Sequence, residues 1–340
     1  MMDLLHTATT FIICRWWVAS TVILMLLLLL ISSSDAFISV QHQHHPSSSL
    51  CIMSSSSSSS THQSTNQATI IQGFDRPTAQ QVVTTTLCPP NEERSRNNAG
   101  MEAFGEDRHS KVIRNDDPRN EYTYGEFPFG SFDLLVDRAI EYVDDNDQQQ
   151  HEEDGRNRNM LDLGSGCGRL VLYAGLTRGG WDVTGIEIGK QLHSLAVNSL
   201  QRGINGDLLK PVAITDDAST ANSKISFYNG NALRGEDPYF QDTESDDETI
   251  QSILSEANLL FAYSTVWETD SSQSFNPELQ AMVLSSKWSK SLAAVCQDGV
   301  VAVTTDRVLN PDDGWKLLDR MDVDNPSVWG SVGYISVLQK

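Results

Sequence analysis

Residues 160 to 168 read Met-Leu-Asp-Leu-Gly-Ser-Gly-Cys-Gly: a short apolar run, a carboxylate near its end and a turn with glycine at 164, 166 and 168. Beyond the carboxyl end of a strand in an α/β sheet, such a turn lets backbone approach a ligand closely. Asp162 precedes the first glycine by two residues, where a carboxylate suits an ammonium or a hydroxyl and repels a pyrophosphate. The spacing is G-x-G-x-G, whereas the dinucleotide fingerprint requires G-x-G-x-x-G. Glu187 closes the next apolar run, 23 residues after Gly164, and a carboxylate there can accept both hydroxyls of a ribose.

Alternating strands and helices must position these residues. Ser131 is a candidate helix cap, followed by Phe132, Leu135, Val136, Ala139, Ile140 and Val143 on one helical face. Strands are expected at Met160 to Leu163, Asp182 to Ile188, Ile225 to Asn229, Asn258 to Tyr263 and Gly299 to Thr304. Helices are expected after the glycine turn through Leu176, over Lys190 to Gln201 with Gly203 closing it, near Thr249 to Ala257, and over Pro277 to Val295. Such alternation implies a parallel sheet covered on both faces. Trp315 to Leu338 offers two further strands with no helix between them, most simply an antiparallel hairpin.

The combination LDLGSGCG followed by GIEI resembles the class I S-adenosylmethionine-dependent methyltransferases, over roughly Glu121 to Lys340. The resemblance implies a Rossmann-like α/β fold, with a mostly parallel seven-stranded sheet, an antiparallel C-terminal hairpin and helices on both faces. It implies S-adenosyl-L-methionine as cofactor, held by Asp162, Gly164, Ser165, Gly166, Gly168 and Glu187. By the same resemblance, the amide oxygen of Asn231 would accept from the adenine amino group, and Ala232 would offer its backbone N–H to the ring. Tyr263 and Ser264, ending strand four, become the candidate catalytic residues beside the methyl group. Each of these last four is also an ordinary turn residue.

Upstream, Tyr122-Thr123-Tyr124-Gly125-Glu126-Phe127, together with the glycine turn and GIEI, looks like the histone-lysine methyltransferases of the disruptor-of-telomeric-silencing type. In that family a Y-G-E loop closes over the cofactor, so Tyr124, Gly125 and Glu126 are candidate lid residues. Glu126 would then pair with the amino group of the methionine moiety. The chain departs from the family where an Asn-Asn-Phe run lines its lysine channel. Here stand Tyr263-Ser264-Thr265, then Val266 and Trp267, and Arg169 replaces the Gln of the glycine-loop helix. The cofactor site carries over; the histone does not.

The expected reaction is methyl transfer to a protein or small-molecule acceptor, a protein lysine among them. Displacement at a sulfonium asks the protein mainly to fix geometry and exclude water. No residue compels a general base; Tyr263, Ser264, Glu268 and Asp270 are near enough in sequence to be considered. A non-catalytic cofactor-binding protein and a nicotinamide oxidoreductase are the alternatives.

The chain has 340 residues, with 24 Lys plus Arg against 45 Asp plus Glu and a formal charge of -21, so direct binding of nucleic acid is not expected. Five cysteines without a C-x-x-C pair or His cluster indicate neither a zinc site nor a disulfide framework. Glu236 to Thr249 carries seven carboxylates without calcium-loop spacing and reads as a solvated insertion.

Trp16 to Ile31 is a 16-residue apolar run preceded by Arg15, suited to a signal-peptide core ending near Ala36-Phe37. Extended by Phe11 to Ile13 it would also serve as a signal anchor. Phe37 to Phe74 lacks acidic residues and contains an unbroken serine tract at 54 to 60, the composition of a transit peptide. The expected organisation is a signal peptide (1–36), a transit-type segment (37–75), a disordered linker (76–115) and a methyltransferase domain (116–340) whose mature form has no stable membrane span. The expected address is a plastid reached by the secretory route, with secretion or endomembrane anchoring as alternatives.

Overall fold

Among the described residues nine strands share one sheet, in the order Trp315–Val323, Ser331–Leu338, Val301–Thr305, Leu259–Ala262, Arg158–Leu163, Trp181–Glu187, Lys224–Asn229, Gln67–Ile70 and Leu209–Pro211. The computed structural model describes residues 66–102, 125–147, 158–211, 223–233, 247–269, 275–328 and 330–340, which fall within one unit, His62–Lys340. Five strands form its parallel centre: β2 (Arg158–Leu163), β3 (Trp181–Glu187), β5 (Lys224–Asn229), β6 (Leu259–Ala262) and β9 (Val301–Thr305). β12 (Ser331–Leu338) runs antiparallel to β9, and β11 (Trp315–Val323) antiparallel to β12. These seven form the expected mostly parallel, Rossmann-like sheet with its antiparallel C-terminal hairpin. The central strands read as continuous buried runs, as a sheet covered on both faces requires.

Two further strands extend the opposite edge: β1 (Gln67–Ile70) pairs antiparallel with β5 and with β4 (Leu209–Pro211). They correct the expected organisation. The stretch read as a linker folds as far as Glu102, in α1 (Arg76–Val82), a π turn over Val83–Leu87 and α2 (Glu93–Glu102). Asp75 caps α1 by accepting from Thr78 N–H, with proline at the helix start. Ala79, Val83 and Leu87, four residues apart, enter the core and pay for the ordering. The folded domain therefore begins upstream of residue 116. Tyr124, residues 103–115, the signal and serine-rich readings up to residue 65, and most of the acidic insertion lie outside the described residues.

On one face pack α3 (Phe129–Asp147), α4 (Arg169–Thr177) and α5 (Lys190–Asn205); on the other, α6 (Asp247–Ser255) and α7 (Ser286–Val295). Ser131 does not cap α3, which starts two residues earlier; its hydroxyl donates to the Asp324 carbonyl. Gly203 does not close α5. It sits inside it because a Cβ there would meet Leu209 at 2.6 Å. Residues 277 to 284, expected as the start of a helix, instead follow β7 (Phe275–Asn276) as a turn with Gln280 at φ 49° and then β8 (Ala281–Val283), which pairs with β10 (Arg307–Val308). The proline and the left-handed residue break the helical run. Among the described residues no helix is long and apolar enough to cross a membrane.

Candidate functional site

A cleft of about 1160 Å³, counting its open mouth, lies beyond the carboxyl ends of β2, β3, β5 and β6. The glycine turn forms its floor, with Gly164, Gly166 and Gly168 at φ of 74°, 58° and 81°. Side chains rarely adopt these angles. Gly168 also has no room, since a Cβ would meet Phe227 ring atoms at 2.5 and 2.6 Å. It does not line the cleft; it sets the turn from which α4 departs.

Glu187 ties the turn to the next loop. Its Oε2 accepts from Gly166 N–H and its Oε1 from Gly189 N–H, both at 2.7 Å. Burial raises its pKa, and the two amides act against that rise. One lone pair on each oxygen remains for a ligand.

Asp162 is 4% exposed and lines the same cleft, and no hydrogen-bond donor reaches its carboxylate among the described residues. Burial, with the Glu187 charge adding to it, pushes its pKa up to about 8. Two buried acids thus face one cavity, one bonded to backbone and one unpartnered. Such an arrangement favours a ligand that brings positive charge or donors. Ser165 Oγ, in a residue that also lines the cleft, is buried without a partner among the described residues.

Glu126 stands at the mouth, but Arg96 Nε donates to its Oε1 at 3.0 Å and Arg169 Nη1 to its Oε2 at 2.6 Å. The carboxylate expected to pair with a ligand amino group is thus held between two guanidiniums. Arg96 comes from α2, in the stretch read as linker, and also donates to the Pro89 carbonyl at 3.0 Å. Sequence reasoning missed it because no local spacing links residues 96, 126 and 169.

Asn231 and Ala232 line the cleft after β5. Asn231 Oδ1 already accepts from Leu233 N–H at 2.9 Å, so its expected role is shared with a turn. Tyr263 also lines the cleft, packed against Phe127 with ring centroids 5.1 Å apart. Ser264 does not: it is fully buried, its hydroxyl donating to the Thr305 carbonyl at 2.9 Å and accepting from Thr305 N–H at 3.1 Å. That corrects its assignment as catalytic, since parallel pairing of β6 with β9 turns it onto the neighbouring strand. Trp267 and Trp288, stacked with centroids 3.6 Å apart and rings 16° from parallel, complete the wall beside Lys287. Trp288 was not singled out because it is contributed by a helix far along the chain.

No family model matches this chain. No curated protein matches it either. Among solved structures it is similar to magnesium protoporphyrin IX methyltransferase from Synechocystis PCC 6803 with bound SAM, at 10% identity and a TM-score of 0.34, covering 79% of this chain and 99% of that one. It is similar to TrmN from Thermus thermophilus at 13% identity and 0.34, covering 60% and 48%. Fibrillarin from Aeropyrum pernix, in complex with S-adenosyl-L-methionine, matches at 12% identity and 0.32, covering 58% and 74%.

Proposed function

We propose that the chain is an S-adenosylmethionine-dependent methyltransferase acting on a protein or small-molecule acceptor. The observation that carries this reading is Asp162: a buried carboxylate without a donor, next to a glycine turn and 25 residues before a second buried acid. An amino acid ammonium satisfies Asp162, and a ribose diol can use the remaining lone pairs of Glu187. A dinucleotide pyrophosphate would instead bring no positive charge to offset the two buried acids. Ile188, Leu192 and Leu233 supply apolar walls for a purine. The cofactor, when bound, supplies a methyl group on a sulfonium. The protein contributes orientation through the glycine turn and exclusion of water by Phe127, Tyr263 and the indole pair.

Calorimetry of the full chain with S-adenosylhomocysteine tests this reading, with saturable heat as the expected result; no heat from folded protein refutes it. Nucleosomal histone is not the proposed acceptor, because Tyr263 is larger than the Asn that lines the lysine channel of the histone family resembled upstream. Labelling of nucleosomes as fast as any other acceptor would overturn that. The proposed address is a plastid via the secretory route, supported by the apolar run at 16 to 31 and the acid-free serine tract. A reporter fused to residues 1–75 that accumulates in cytosol or nucleus would refute it.

A further inference from the structure

Phe275 and Met282 face each other across the β7–β8 pair, 56% and 36% exposed, while Ala281 and Val283 on the other face are buried against Val308 and Tyr334. One face of this small sheet is anchored and the other is open. Beside it runs a groove of about 1040 Å³, counting its open mouth. Phe275, Pro277, Leu279 and Pro311 supply apolar lining, and Glu278 and Asp312 are its charged lining residues among those described. Both acids stand on turns of the same Asn-Pro-acid sequence. Asn276 Oδ1 accepts from the N–H of Glu278 at 2.9 Å and of Leu279 at 3.1 Å, and Asn310 Oδ1 accepts from Asp312 N–H at 3.1 Å. Proline fixes φ at 277 and 311, so both turns hold their shape before any partner arrives. Glu278 and Asp312 are exposed, and neither carboxylate has a partner among the described residues. The same stretch of chain reaches the cleft: Leu284 lines the groove, and Lys287 and Trp288 line the cleft.

We propose that this groove is a docking surface for a protein segment in which arginine or lysine alternates with apolar residues. Phe275 and the two prolines cover the apolar side chains of that segment, and Glu278 and Asp312 receive its cations from the two turns. Covering an exposed phenyl ring drives association but leaves the partner unspecified. The charge specifies it. A groove whose described charges are all negative, on a chain of formal charge -21, repels a second copy, nucleic acid and an anionic lipid surface. A cationic segment is drawn to it, because long basic side chains lay their alkyl stems along proline and phenyl rings while the head meets a carboxylate. The two acids need not share one cation, since a segment spanning the groove brings several. Docking here needs no cofactor in the cleft.

A fluorescein-labelled peptide, Gly-Arg-Leu-Arg-Phe-Arg-Leu-Gly, is the probe, with one counterpart carrying Glu for Arg and another carrying Ser for Leu and Phe. Anisotropy titration with the full chain should show saturable binding of the basic apolar peptide, roughly tenfold or weaker binding of the serine peptide, and none of the acidic one. Phe275→Ser should weaken the first peptide by roughly tenfold or more. Glu278→Gln with Asp312→Asn should weaken it about three- to tenfold and make its salt dependence shallower. All three side chains are exposed, so thermal unfolding should be unchanged in both variants. Glu256→Gln with Asp322→Asn removes the same charge from exposed positions outside the groove and should weaken binding by less than about twofold. No binding of the basic apolar peptide, equal binding of the acidic one, equal loss from the two neutralised pairs, or full affinity in Phe275→Ser each overturns the proposal. So does a concentration-dependent dimer that Phe275→Ser dissolves, since a second copy would then be what covers the groove.

Discussion

Replacing Asp162 with Asn should make ligand affinity nearly independent of pH while stabilising the unliganded protein. The folded pKa of about 8 lies above the ordinary value of 3.8, so the folded state holds a proton that the unfolded chain releases between those values. The contribution of this group to stability is therefore fully present below pH 4 and is lost as pH rises toward 8. At pH 7 keeping this carboxyl neutral costs folding up to about 4 kcal/mol relative to a group that does not titrate. Asn removes that cost, and recovery of even half of it raises Tm by roughly 4 to 8 °C. Binding runs the other way. A ligand ammonium needs the ionised carboxylate, whose population in the free protein falls from about half at pH 8 to about one per cent at pH 6. Affinity for S-adenosylhomocysteine should fall roughly fiftyfold over that range, with about 0.9 proton released on binding at pH 7. Calorimetry in buffers of different ionisation heat reads both quantities. A flat wild-type affinity from pH 6 to 8, or an Asp162→Asn protein with the same pH profile, would refute the reasoning.

Gly168→Val should destabilise by about 3 kcal/mol or more, from left-handed strain and collision with Phe227 together, read by denaturant unfolding. Glu187→Ala removes the bridge between Gly166 and Gly189 and should weaken S-adenosylhomocysteine by about 1.5 to 3 kcal/mol in calorimetry. Arg96→Ala removes the bonds of its guanidinium to Glu126 and to the Pro89 carbonyl and should cost about 1 to 3 kcal/mol in thermal unfolding, whereas a linker residue would cost nothing measurable. A chain shortened to begin at Asp116 loses Ala79, Val83 and Leu87 from the core and uncovers the β5 edge, so it should be insoluble or aggregate, as size-exclusion chromatography would show.

The parallel centre of the sheet and the acids at its ends were legible because each is a local pattern. Buried strands are continuous apolar runs, a glycine turn needs glycine at fixed offsets, and Asp162 and Glu187 sit at strand ends whatever surrounds them. The segment from 67 to 102 was harder to read. Its elements are short, its residues are mostly polar, and a serine-rich neighbour dominates the composition, although Asp75 before Arg76-Pro77 and the apolar spacing at 79, 83 and 87 were already in the sequence. What tertiary structure alone decided were the contacts of high sequence separation. Arg96 and Arg169 converge on Glu126, Ser264 turns to Thr305, Trp288 stacks on Trp267, and Asn325 reaches Tyr263 across 62 residues. Residue type states which bonds a side chain can make, but sheet order and helix packing choose the partner. For that reason the acids and the glycine turn at the strand ends could be inferred from spacing, and the partners of Glu126, Tyr263 and Ser264 could not.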